Sequence, residues 1–76
     1  MRREYCEKDG FLITYSDNDV CFEDVNTAEA VLIANDGSLL INNFNGEKLE
    51  YLLEWYKKIY KSIVQFRTFD RLEDAV

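Results

Sequence analysis

The chain has no histidine and no proline, only two cysteines, Cys6 and Cys21, and little positive charge in its first half. Each shortage removes a class of function. Without histidine there is no imidazole to act as general base, to ligate zinc, or to activate a serine or cysteine nucleophile. Two thiols are too few for a zinc cluster. The longest aliphatic run, Ala30 to Ala34, falls far short of the ~20 residues that cross a bilayer. The amino terminus, Met1-Arg2-Arg3-Glu4-Tyr5-Cys6, has two basic residues but no apolar stretch behind them, so it does not read as a signal peptide. These absences point to a cytoplasmic protein that is not an enzyme, carries no cofactor and holds no metal.

What is present is acid and aromatic carbon. Seventy-six residues form one domain, because halves of such a chain would each fall below the ~40 residues at which independent folding becomes difficult. Five tyrosines, five phenylalanines and one tryptophan supply the bulky side chains that disordered acidic tails lack. Between Glu4 and Asp36 the carboxylates are Glu4, Glu7, Asp9, Asp17, Asp19, Glu23, Asp24, Glu29 and Asp36, opposed only by Lys8. Unpaired charges do not enter a small core, so this half must present a negative surface. That surface repels nucleic acid and anionic lipid, which argues against direct binding to nucleic acid or a membrane and favours a basic protein partner. The competing explanation is that the formal net charge of −6 serves solubility alone.

Asp9-Gly10 between two alternating segments signals a two-residue hairpin. With that turn Lys8 faces Phe11, Cys6 faces Ile13 and Glu4 faces Tyr15. If Asp17-Asn18 makes the next turn, Tyr15 faces Val20, Ile13 faces Phe22 and Phe11 faces Asp24. Opposed residues share a sheet face. Cys6, Phe11, Ile13, Tyr15, Val20 and Phe22 then form the core side, and Tyr5, Glu7, Leu12, Thr14, Ser16, Cys21 and Glu23 the outer side. The two cysteines fall on opposite faces, which argues against a disulfide. Asp36-Gly37 suggests a further hairpin between 30–34 and 38–42. The competing reading makes 27–35 a helix capped by Asn26, but the β-branched Val31 and Ile33 favour strand.

The carboxy-terminal element has the strongest pattern. Asn45 can cap a helix, with Phe44 and Leu49 placed as a hydrophobic staple. Leu49, Leu52, Leu53, Tyr56, Ile59, Tyr60 and Ile63 recur at helical spacing. Arg67 would fall in the middle of this apolar stripe, so the helix is expected to end near Phe66, leaving 68–76 as a tail or a single helical turn. The predicted fold is α+β: an antiparallel meander of about five strands over 1–44, and a long amphipathic helix over 45–67 covering one face.

Two surfaces follow from this arrangement. Glu7, Asp17, Asp19, Glu23 and Asp24 are the expected electrostatic contacts for a partner, with Tyr51 and Trp55 as aromatic anchors beside Lys48 and Lys58. Carboxylates on next-nearest strands stand ~10 Å apart, on the scale of a row of phosphates. The expected partner is therefore a basic protein such as a nucleic-acid-binding enzyme or complex, bound stoichiometrically and inhibited or regulated. In size and charge alone, and through no motif, the chain resembles the small acidic phage proteins that inhibit nucleases by mimicking nucleic acid. The second surface is the far end of the helix, where Ile63, Val64 and Phe66 extend the apolar arc beyond what one sheet face needs. The alternative function is thus a homodimeric structural or assembly protein joined through that helix. Asp17-Asn18-Asp19 lacks the glycine and distant glutamate of a calcium loop, and Glu23 and Asp24 point to opposite faces, so neither pair reads as a metal site.

Overall fold

The computed structural model describes residues 2–74. Five strands, β1 (Arg3–Lys8), β2 (Phe11–Tyr15), β3 (Asp19–Asp24), β4 (Ala30–Ala34) and β5 (Leu39–Asn42), precede one helix, α1 (Gly46–Asp74). The strands form a single antiparallel sheet in chain order. The fold is α+β, and residues 30–34 are strand rather than helix. No helix among the described residues is long and apolar enough to cross a membrane.

Local chemistry sets the turns. Asp9 and Gly10 adopt φ values of 55° and 83°, the paired left-handed conformation that matches the twist of a two-residue hairpin. Gly37, at φ 90°, does the same service in the β4–β5 turn. After β3, Asp24 Oδ1 accepts the backbone N–H groups of Asn26 and Thr27 at 2.9 and 3.3 Å, which reverses the chain and leaves no need for a helix there. Asn45 caps α1 by accepting the Lys48 N–H at 3.0 Å.

The β2–β3 register has Tyr15 opposite Val20, Ile13 opposite Phe22 and Phe11 opposite Asp24, each pair as expected. In β1–β2 the expected Lys8–Phe11 and Cys6–Ile13 pairs form, but the register then shifts between Glu4 and Cys6. Tyr5 is the extra residue of a bulge. Arg3 instead of Glu4 lies opposite Tyr15, and Glu4 moves opposite Thr14. The cause is tertiary: Tyr5, expected on the outer face, turns toward the helix, donates its hydroxyl to Ser62 Oγ at 3.1 Å and sets its ring 5.1 Å from that of Phe66.

The core lies between one sheet face and α1. Phe11, Ile13, Tyr15, Val20, Phe22, Val31 and Ile33 from the sheet meet Phe44, Leu52, Tyr56 and Ile63. Each fully buried aliphatic or aromatic side chain contributes roughly 1.5–3 kcal/mol. The helix does not stop near Phe66; it continues unbroken to Asp74, so the expected tail is helical over 68–74, and 75–76 lie outside the described residues. Arg67 is the reason. It is 5% exposed, with Nε donating to the Ser16 carbonyl at 2.7 Å and a terminal nitrogen to the Asp19 carbonyl at 3.2 Å. Its guanidinium also lies 5.9 Å from the Tyr60 ring centroid. A charge in the apolar stripe thus becomes a bolt between helix and β2–β3 loop. One turn on, Asp70 accepts the Tyr15 hydroxyl at 2.7 Å and lies 3.4 Å from Arg3 Nε.

A second bolt holds the other end of the helix. Lys48 Nζ reaches Asp24 Oδ2 at 2.7 Å and Glu29 Oε1 at 3.2 Å, above the rings of Phe11 and Phe44. The Lys48 bond, aided by the Asn26 and Thr27 amides, holds the Asp24 carboxyl below its ordinary value of 3.8, and the same carboxylates raise Lys48 above 10.5. Burial first, and then the bond to Asp70, push Tyr15 up to about 12. A lowered acid binds more protons when unfolded, so its stabilisation is complete above 3.8 and fades as pH falls through the folded value. The raised Tyr15 and Lys48 act in the opposite sense, stabilising fully below their ordinary values and losing that contribution as pH rises through the folded ones. Melting temperature is therefore expected to be flat near neutrality and to fall at both extremes. Asp24→Asn should lower the neutral plateau and flatten the acid limb, and Tyr15→Phe should flatten the alkaline limb. Unchanged limbs in both variants, followed by circular dichroism across pH, would contradict these assignments.

Candidate functional site

With α1 on one face, no element among the described residues covers the other face of the sheet. Two cross-strand rows run over it. One reads Glu7, Leu12, Glu23, Ala30 and the other Glu4, Thr14, Cys21, Leu32, Ile41. Strands lie about 4.8 Å apart, so Glu7 and Glu23 flank Leu12 at a separation of ~10 Å. Among the described residues no cation forms an ion pair with Glu4, Glu7 or Glu23. Glu7 and Glu23 beside Leu12, and Glu4 in the next row beside Thr14, therefore have their charge available.

The other predicted acids separate from this group. Asp24 faces the helix, is 8% exposed and is occupied by Lys48 and two backbone amides, so it is a structural residue and not a surface contact. The register that set it opposite Phe11 already placed it on the core side. Asp19 is bound by the Arg2 guanidinium and by Ser16 Oγ, which neutralises much of its charge. Asp17 stays exposed in the β2–β3 loop, 3.9 Å from Arg71. Glu4 is the residue that sequence reasoning missed. A regular hairpin puts it on the core side, and only the Tyr5 bulge brings it onto the outer face.

The aromatic pair lies elsewhere. The Tyr51 and Trp55 ring centroids are 5.9 Å apart on α1, but Trp55 packs edge-on against Phe11 at 6.1 Å and tilts against Phe22 at 5.6 Å. Trp55 closes the rim of the core, while Tyr51 is 52% exposed. Together with Lys8, Asp9, Glu54 and Lys58 they line a hollow of about 250 Å³. Lys48, expected beside them, is committed to Asp24 and Glu29. The sheet stands between this hollow and the acidic rows, so one flat partner surface cannot cover both. The proposed self-association set also changes: Ile63 is 0% exposed and cannot touch a second copy, because the helix rotates it onto the sheet. Val64 and Phe66 remain on the surface, though the Phe66 ring rests against Tyr5 and Tyr15.

Other chemistry has little to build on. Cys6 and Cys21 are free and half-buried, on opposite sheet faces, and burial raises both thiols above their ordinary value, which disfavours the reactive thiolate. Among the described residues no group of three His, Cys, Asp or Glu could hold a metal ion. A hollow of about 470 Å³ between α1 and the β4–β5 hairpin is lined by Ile33, Gly37, Glu50, Leu53, Glu54, Tyr56 and Lys57.

No family model, no curated protein and no solved structure matches this chain.

Proposed function

We propose that this chain is a small acidic binding protein that occupies a cationic surface on a partner protein and blocks or regulates it stoichiometrically. The observation that carries the reading is the placement of Glu7 and Glu23 on either side of Leu12, with Glu4 in the next row, on the sheet face away from α1, none of the three in an ion pair among the described residues. Carboxylates held on strands are pre-ordered, so little side-chain freedom is lost when a cationic groove meets them. Complementary fields raise association rates by ~10 to 10³-fold at low salt. A nucleic-acid-binding protein offers the most suitable groove, since its lysines and arginines already sit at spacings made for phosphates.

The test is capture from the native host at two ionic strengths. Immobilised protein is expected to retain a basic, nucleic-acid-binding protein at about 50 mM salt and to release most of it by about 300 mM, as the Debye length shortens from ~14 to ~6 Å. Retention that is indifferent to salt, or of partners without a basic surface, would remove this reading.

A further inference from the structure

The two edges of the sheet differ sharply. β1 carries Arg3, Glu4, Glu7 and Lys8, charges that keep foreign strands from pairing with an edge; a register shift interrupts both edge ladders, at Tyr5 in β1 and at Leu40 in β5. β5 has no charged residue, and its Leu39, Leu40 and Ile41 are 41, 57 and 54% exposed. The surrounding chain is electrically silent as well. From Ala30 to Gly46 the only charged side chain is Asp36, and its carboxylate accepts the Ser38 N–H at 2.9 Å. On the outer face Ile41 is opposite Leu32, which extends the apolar strip inward from the edge.

From this asymmetry we infer that β5 is the seam of a symmetric dimer, in which a second copy of this chain pairs its own β5 antiparallel to the first. Charge selects the occupant. A basic partner gains nothing at an edge without carboxylates, whereas a neutral apolar edge complements itself. The like charge of two copies does not oppose the contact. β1, with Glu4 and Glu7, lies four strand spacings or ~19 Å from β5, and Glu23 lies ~10 Å away, both beyond the ~8 Å Debye length at physiological salt. Packing copies through their outer faces would instead bring Glu4, Glu7 and Glu23 against like charge. Because the other edge is guarded, pairing through β5 closes at two copies and does not propagate into a fibre. The register shift in β4–β5, which leaves Leu40 as the extra residue opposite Ile33 and Leu32, shortens the regular ladder. The association therefore draws on the three aliphatic side chains as much as on backbone hydrogen bonds.

Sedimentation of the intact chain from about 10 µM to about 1 mM tests this. The wild type is expected to move from the 9.0 kDa monomer to about 18 kDa with rising concentration, and the amides of β5 to gain hydrogen-exchange protection over the same range while those of β1 do not. Ile41→Lys and Leu40→Lys each set two ammonium groups against one another across the two-fold axis and should weaken the dimer at least tenfold. Val64→Asp, on the helix, should leave it intact. A wild type that stays monomeric throughout overturns the inference, as does a dimer untouched by both lysine variants or one dissolved by Val64→Asp. The seam lies two to four strand spacings from Glu23, Glu4 and Glu7, so the partner reading stands or falls independently.

Discussion

Arg67→Ala is expected to lower the melting temperature by about 10–25 °C, at ~4–8 °C per kcal/mol for a domain of this size. The guanidinium is buried and holds the carbonyls of Ser16 and Asp19. Its removal leaves a loop carbonyl without its donor, opens a void beside Tyr60 and uncouples the last turns of α1 from the sheet. Hydrogen bonds to a charged group are worth ~1.5–3 kcal/mol each and do not add fully, so the net loss is about 3 kcal/mol. Small domains have total stabilities toward the low end of ~5–15 kcal/mol, which makes this a large fraction. Arg67→Lys should recover only part, since a single ammonium cannot reproduce the fork that spans two carbonyls. Arg71→Ala is the control. Its side chain is exposed and only 3.9 Å from an exposed Asp17, and a surface pair of that kind contributes ~0–1 kcal/mol. Equal melting temperatures for Arg67→Ala and Arg71→Ala, measured by circular dichroism, would show that the bolt carries no stability.

The combined substitution Glu7→Lys with Glu23→Lys should weaken partner binding on the order of a hundredfold or more, because like charges across an interface cost several kcal/mol and each ~1.4 kcal/mol is a factor of ten. Both side chains flank Leu12 on the uncovered face, so reversal converts the middle of the negative surface to positive. Stability should change little, since among the described residues neither carboxylate forms an ion pair. Asp24→Asn supplies the contrast: it should affect stability and leave the salt dependence of binding alone, because Asp24 lies under the helix. Isothermal titration against the captured partner distinguishes these outcomes. Undiminished affinity in the double variant would dissociate the acidic face from binding.

Much of this architecture could be read from local chemistry. Asp9-Gly10 and the alternation of Phe11, Ile13 and Tyr15 dictate a hairpin with a defined inner face, and the β2–β3 register followed residue for residue. Part of the candidate site came with it, since Glu7 and Glu23 share the outer face with Leu12 through that same alternation. Asp24 shows where charge misleads. An acid is expected at the surface, yet the register sets Asp24 opposite Phe11, where Lys48 compensates it.

The residues read wrongly depend on groups far away in the chain. Tyr5 turns inward for Ser62 and Phe66, and by doing so delivers Glu4 to the outer face. Arg67 extends the helix because the carbonyls of Ser16 and Asp19 wait opposite it. The amino-acid sequence by itself determined the meander, the faces of β2 and β3 and the existence of the helix, because turn conformation and side-chain alternation are set within a few neighbouring residues. Only the tertiary structure decided where the bulge falls, how far the helix runs and which acids remain available. Those outcomes depend on whether a polar group finds its partner some fifty residues away once the core has closed.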